Sequence, residues 1–249
     1  MISSTQNTLI KEIRSLKDKK FRDKLGVFVL EGIKPVREAI ALNLSIREIV
    51  CTENTCLEFL NCGYKVEVVS DQVFKSISEE VTPQGALAIV YKLPCEIQNA
   101  TGNALLLDGV SDPANVGAII RTAAASGFNQ IYLTPTCADA YSQKAVRSSM
   151  SGIFRVKVMR GELDAILSAI NMPLVIADMN GQNVFDMQIK EDVCLVIGNE
   201  GNGVSDYLKQ KANLTVKIPM QNGVESLNAA VSAGILMYAL KKGSVPSYN

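Results

Sequence analysis

Six short apolar runs in the second half of the chain constrain its fold more than any other feature. They read ALLLD (104–108), QIYLT (130–134), FRVKV (154–158), PLVIAD (173–178), VCLVIG (193–198) and LTVKI (214–218). Each is nearly continuous rather than alternating, the pattern of strands covered on both faces of a parallel sheet. Helical patterns lie between most of them, at about 115–126, 142–150, 161–169 and 203–210, and a last one spans about 226–241. That alternation predicts a doubly wound α/β domain.

The first half is a smaller α/β unit. Strand-like runs VFVLE, IREIVC, YKVEVV and ALAIVY alternate with helical patterns at about 33–42, 54–61 and 71–79. KLPCEIQNATGN then has no periodicity and reads as a linker. The expected organisation is a first domain over 1–92, a linker over 93–102 and a second domain over 103–249. One helix is expected over 5–24, with Leu9, Ile13 and Leu16 as its buried stripe. Residues 1–24 carry seven Lys or Arg against three acidic residues, although the whole chain has 25 of each sign. A basic arm of this kind suits RNA phosphates, with Lys17, Lys19, Lys20 and Arg22 as candidate contacts. A solvated helix face accounts for the same charges.

Several function classes are excluded early. No apolar run approaches the ~20 residues of a membrane span, and the N-terminus lacks the architecture of a signal peptide. A cytoplasmic protein is expected. There is no histidine, and the six cysteines are irregularly spaced without a CxxC pair. No metal site is therefore expected, and any acid–base chemistry must do without imidazole.

In doubly wound sheets, ligands bind beyond the carboxyl ends of the strands, and three loops there have unusual composition. DPANVGAIIRTAAASG (112–127) opens with a capping Asp112 and Pro113. Its packed stripe is Val116, Ile119, Ile120, Ala123 and Ala124. Its single charge, Arg121, lies one turn after Gly117 and leans back toward Asn115. VIGNEGNGVS (196–205) has three glycines around Glu200, but it is neither a Walker loop nor GxGxxG. IPMQNGVESLNAAVSAG (218–234) crowds Asn222, Glu225, Ser226 and Asn228 at one turn before a helix of small residues. A serine-capped, tightly packed helix is the plain account of this last stretch.

Taken in order, LDGVSDPANVGAIIRTAAASGF, VIGNEGNGVS and IPMQNGVESLNAAVSAG resemble the three motifs of the SpoU (TrmH-type) branch of the SPOUT RNA methyltransferases. SQKAVRSSMSGIFRV resembles that family's KAVRAS-type segment. The first unit is similar to the ribosomal-protein-like RNA-binding domain that precedes the catalytic domain in many members. The resemblance implies an α/β SPOUT domain with a parallel sheet and a deep trefoil knot, a homodimer, and S-adenosylmethionine as cofactor. It implies 2′-O-methylation of a ribose in structured RNA, ribosomal RNA before transfer RNA. The adenine and ribose edge would meet backbone at Gly198, Ile218 and Leu227, with Glu200, Gly201, Met220 and Ser226 shaping the pocket. Asn115, Arg121, Glu200, Ser226 and Asn228 fall on the family's functional positions. Ala114 stands where the family usually has glycine.

Two rivals remain at this stage. A nucleotide-dependent oxidoreductase should carry a glycine fingerprint after its first strand, with an acidic residue ~20 positions later. LLLDGVSDPANVG has neither. A non-catalytic RNA-binding protein of the same fold should have lost Asn115, Arg121 or the SLN turn, and all are present.

Overall fold

The computed structural model describes residues 1–93, 96–221, 224 and 226–241. Contacts divide the chain into two compact units. The first is Met1–Leu93 with Tyr141–Ser151, and the second is the described parts of 94–140 and 152–249.

The first unit opens with two helices, α1 (Thr8–Ser15) and α2 (Lys19–Leu25), where a single helix was expected over 5–24. Asp18 makes the break. Its backbone is extended and its carboxylate accepts from the Lys20 amide, so a new helix is capped before the first can continue. Ile13 and Leu16 of the expected stripe are buried, but Leu9 is only partly so and Ile10 takes the buried position beside it. The unit continues through β1 (Val27–Glu31), α3 (Ile33–Ala41), β2 (Ile46–Thr52), β3 (Val66–Val69), α4 (Asp71–Ile77) and β4 (Ala86–Tyr91). Its sheet has the order β1-β4-β2-β3, with β4 antiparallel to both neighbours and β2 parallel to β3. The helix expected over 54–61 shrinks to a 3₁₀ turn at Cys56–Glu58. Thr55 explains this, because its hydroxyl bonds the Thr52 and Gly85 carbonyls and holds the chain in a turn.

The second unit starts with β5 (Ala104–Asp108), α5 (Pro113–Ser126) and β6 (Gln130–Leu133). The chain then leaves it. Helix α6 (Gln143–Ser149) belongs to the first unit, where Ala145 and Val146 are buried, the Tyr141 ring lies 5.1 Å from Phe28, and Arg147 pairs with Glu80 at 2.7 Å. The SQKAVRSS stretch therefore builds onto the smaller unit, although it stands in sequence between two strands of the larger one.

The chain returns at Gly152, makes a 3₁₀ turn to Phe154, and only then forms β7 (Lys157–Arg160), later than the FRVKV run suggests. After it come α7 (Leu163–Ala169), β8 (Leu174–Asn183), β9 (Cys194–Gly198), α8 (Asp206–Lys211), β10 (Leu214–Lys217) and α9 (Ala229–Leu240). The six strands are all parallel, in the order β10-β8-β9-β5-β6-β7. Residues 104–107 and 194–197 in the two central strands are buried throughout, as their continuous apolar runs require. From β5 the chain steps outward to β6 and β7, whereas β9, β8 and β10 lie on the other side. The direction of winding thus reverses between β5 and β9, and the loops that leave these two strands part there to open a crevice.

Candidate functional site

Helix α5 begins at this switch point. Asp112 accepts the Ala114 amide at 2.9 Å and Pro113 occupies the first turn. Ala114 sits inside that turn, and among the described residues only Asn43 and Met150 combine a side chain with positive φ. The alanine is therefore at ease where the family usually has glycine. Asn115, one residue on, is only 9% exposed.

Glu200, in the loop after β9, reaches across to this helix start. Its carboxylate accepts from the Ser111 amide at 3.1 Å, the Ser111 hydroxyl at 3.0 Å, the Asp112 amide at 3.3 Å and Asn115 Nδ2 at 2.9 Å. An ionised carboxylate can only accept, so Asn115 must present its NH₂ to Glu200 and keep its oxygen for another partner. That partner is Asn228, whose Nδ2 donates to Asn115 Oδ1 at 2.9 Å. The oxygen of Asn228 is then left to accept from Ala230 and Val231, the first amides of α9, at 2.9 and 3.3 Å. One directed chain of hydrogen bonds, Glu200–Asn115–Asn228–α9, ties all three motif loops together.

Asn228 is thus the cap of α9. Ser226, which the sequence suggested for that task, lies outside the helix and is exposed. Asn222 and Glu225, which the sequence places at the same turn, are outside the described residues.

Burial pushes the Glu200 carboxyl up, but the bonds from Asn115, Ser111, its own amide and Asp112 outweigh it and bring it down to about 2. At neutral pH Glu200 is a fixed anion and a poor proton acceptor. Asn199 beside it closes the loop: its Nδ2 donates to the Gly109 carbonyl at 2.8 Å, and its Oδ1 accepts from Gly201 and Asn202 at 2.9 and 3.1 Å. Neither Asn199 nor Ser111 was singled out by sequence reasoning. The Asn-Glu-Gly order, a common Asx-turn pattern, was the available signal.

A cavity of about 650 Å³ opens beyond the carboxyl ends of β9 and β10, beside the middle of β8. Gly198, Glu200 and Gly201 line it from the β9 loop, Ile218 and Met220 from the segment after β10, and Ser226 and Leu227 from the approach to α9. All seven residues proposed to hold a cofactor therefore face one space. Asn228 lines it as well, so the hydrogen-bonded chain forms part of its wall. Asp178 and Met179, midway along β8, also line it and were not foreseen. Nothing in PLVIAD marks them, because they lie where a buried run simply stops.

Arg121 is exposed on α5, about one and a half turns beyond Asn115, with no hydrogen-bond or ion-pair partner among the described residues. Its neighbours Ile120 and Ala123 are buried and Ala124 is half-buried. In the basic arm, Lys17, Lys19 and Lys20 are exposed. Lys17 lies 3.8 Å from Glu79 and Lys19 2.7 Å from Asp23. Arg22 requires a correction. It is only 4% exposed, and its guanidinium donates to the Leu16 and Lys17 carbonyls at 2.7 Å, closing the end of α1. Its charge serves the fold rather than the surface. The described cysteines are free thiols, with Cys51 pushed up to about 11 and Cys194 also raised, both by burial, and Cys95 lies outside the described residues. Among the described residues no group of side chains could hold a metal, and no helix is long and apolar enough to cross a membrane.

Known proteins match both units. The profile of the SpoU rRNA methylase family matches residues 102–238, and that of the MRM3-like substrate binding domain matches residues 7–88. The chain is 34% identical to the 23S rRNA (guanosine(2553)-2′-O)-methyltransferase RlmP of Bacillus subtilis, over 96% of this chain and 98% of that protein. It is 27% identical to the 23S rRNA (uridine(2479)-2′-O)-methyltransferase of Streptomyces viridochromogenes, over 87% and 83%. The crystal structure of an AdoMet-bound rRNA methyltransferase from Sinorhizobium meliloti superposes with a TM-score of 0.87 at 28% identity, covering 96% of each chain.

Proposed function

Since the chain belongs to the SpoU rRNA methylase family, we propose that it transfers the methyl group of S-adenosylmethionine to a ribose 2′-hydroxyl of structured RNA, with ribosomal RNA as the substrate. The observation that carries this reading is the cavity at β8, β9 and β10, walled by the second and third motifs and tied to the first through the bonds of Asn115 to Glu200 and Asn228. Its volume of about 650 Å³ falls within the usual range for a cofactor of this size. Ile197, Leu227 and Leu236 offer apolar walls for a purine. The backbone at Gly198 and Gly201, bare of side chains, is open to hydrogen-bond its edge. The Asp178 carboxylate complements the cofactor's positive charge. When bound, S-adenosylmethionine supplies an electrophilic methyl group on sulfur. The bond formed is O2′–CH₃, the bond broken is S–CH₃, and the hydroxyl proton passes to solvent.

The chain's own residues then have distinct tasks. A ribose hydroxyl is a weak nucleophile and must be held in line with the methyl. Arg121 never deprotonates, so its part is to grip the RNA phosphate or the hydroxyl and to stabilise the charge that develops on oxygen. Glu200 remains ionised and orders Asn115, which in turn orders Asn228. Ser226 stands at the mouth of the cavity on the same turn. Lys17, Lys19 and Lys20 supply phosphate contacts from the substrate-binding unit.

Two further features belong to the same reading. Helix α9 is apolar on every side, yet Val231 is 51% and Tyr238 49% exposed. A helix of that composition is normally buried all round, which supports a homodimer through this face. We also propose the family's trefoil knot for the second unit, and a cytoplasmic location for the protein. We propose 1–92 and 103–249 as the two domains with 93–102 between them; by contacts, α6 falls with the first unit and residues 96–102 with the second, where Ala100 is buried. Titration calorimetry tests the cofactor assignment: S-adenosylmethionine or its demethylated product should bind and NAD should not. Binding of NAD, or of none of the three, would overturn it.

A further inference from the structure

The geometry points to Gly152 as a positioning residue for Arg121, an inference that rests on the reaction proposed above. Gly152 opens the 3₁₀ turn Gly152–Phe154, and this turn packs on α5 within the second unit. A Cβ at Gly152 would stand 2.9 Å from Arg121 Cα, 3.2 Å from Arg121 N and 3.2 Å from the Ile120 carbonyl oxygen. These are backbone atoms in the middle of a helix, so they cannot swing aside as the tip of a flexible side chain would. Compare Gly161, where an added Cβ would meet only the side chain of Ile97.

The glycine is not there for its backbone freedom. Its φ lies outside the left-handed region, in contrast to Gly109, Gly127 and Gly203. Proximity alone demands the missing side chain, and the atoms it makes room for are those that carry Arg121.

The approach to this turn is strained as well. Met150 holds φ 51° and ψ −132°, one of two side-chain-bearing residues with positive φ among the described residues. Such a conformation persists only where its surroundings over-determine it. Here Ser149, fully buried, donates its hydroxyl to the Val146 carbonyl at 2.7 Å and lies 3.3 Å from the Met150 carbonyl. Two residues on, Gly152 is in contact with the α5 backbone within the second unit. Arg121 has no polar partner of its own among the described residues. Its place is set from behind, through the helix backbone, by the turn at Gly152.

The test uses the full-length protein, tritiated S-adenosylmethionine and ribosomal RNA from cells lacking the gene. Gly152→Ala should leave the affinity for S-adenosylmethionine within twofold and the KM for RNA within threefold, while kcat falls at least tenfold. In an Arg121→Lys background the same alanine should cost less than a further twofold, because the residue it acts through has already been changed. Met150→Gly adds no atoms and removes the strain, so it folds even if the alanine variant does not. Its kcat should drop severalfold with cofactor affinity unchanged, and this loss too should vanish in the Arg121→Lys background. A kcat within twofold of wild type for both variants overturns the inference, as does an equal loss in the two backgrounds. Loss of cofactor binding in step with turnover would also overturn it, since general damage then explains the result. If the wild-type protein itself transfers no methyl group, the proposed reaction fails, and that outcome is read separately from any variant.

Discussion

Replacing Glu200 by glutamine tests the hydrogen-bonded chain that ties the three motif loops together. The change keeps the size of the side chain and one accepting oxygen, but it removes the charge and turns the other oxygen into a donor. Four groups now donate to the carboxylate, the two amides and hydroxyl of Ser111 and Asp112 and the NH₂ of Asn115. The amide tip must point its own NH₂ at some of them. The carboxyl lies at about 2 against an ordinary 4.5, a gap that would be worth about 3.4 kcal/mol for a fully shielded group. Glu200 is largely exposed, so screening reduces this to about 1–2 kcal/mol.

The sign follows from the direction of the shift. A lowered folded value stabilises the protein above the unfolded value near 4.5 and is lost as pH falls from there toward 2. Urea unfolding of both proteins should therefore show a deficit of about 1–2 kcal/mol for Glu200→Gln at pH 7. At about pH 3 the deficit should have shrunk to less than half, because the wild-type carboxylate is then losing its advantage. Cofactor affinity should fall in parallel, since Glu200 lines the cavity. A deficit that is the same at both pH values, or no deficit at neutral pH, would mean that the Glu200 charge does not hold the three loops together.

Other expectations concern the neighbouring parts. Asn228→Asp keeps a helix cap but sets oxygen against Asn115 Oδ1, which cannot turn because Glu200 holds its NH₂. Calorimetry should show a loss of cofactor affinity with little change in helix content by circular dichroism. Arg22→Ala should lower stability by about 1–3 kcal/mol in urea unfolding, since it leaves buried carbonyls without donors. Joint replacement of Lys17, Lys19 and Lys20 by alanine should instead flatten the salt dependence of RNA binding in filter assays at unchanged stability. Tyr238→Lys should leave a 26.9 kDa species in sedimentation where the parent protein runs at twice that mass.

Much of the fold was legible because burial writes itself into apolar periodicity. The runs at 104–108 and 193–198 became β5 and β9 with unchanged bounds or one residue less. Local polar bonds were harder to weigh against that periodicity. Asp18 capped a second helix inside a continuous helical pattern, and the Thr55 hydroxyl suppressed another helix. Periodicity also identified α6 as a helix without saying which unit it would join, since the type of an element and its packing partner are separate questions. In the site, the residue types were readable but their connections were not. Asn115 meets Glu200 across 85 positions of sequence and Asn228 across 113, and only the fold brings them together. Arg22 shows the opposite error. Counted as one charge among seven in the arm, it turns inward because the carbonyls at the end of α1 lie within its reach.

Transfer of a methyl group to the 2′-oxygen of a ribose in ribosomal RNA is open to direct mapping. Ribosomal RNA from cells with and without the gene would be hydrolysed in alkali, and the protected 2′-O-methyl positions compared. The purified protein and S-adenosylmethionine would then be added to the RNA from the deleted strain. One position should be protected only when the gene is present, and restored by the purified protein in a manner that requires Arg121. Identical protection in the two strains, or a methyl group transferred to a base instead of the ribose oxygen, would contradict it.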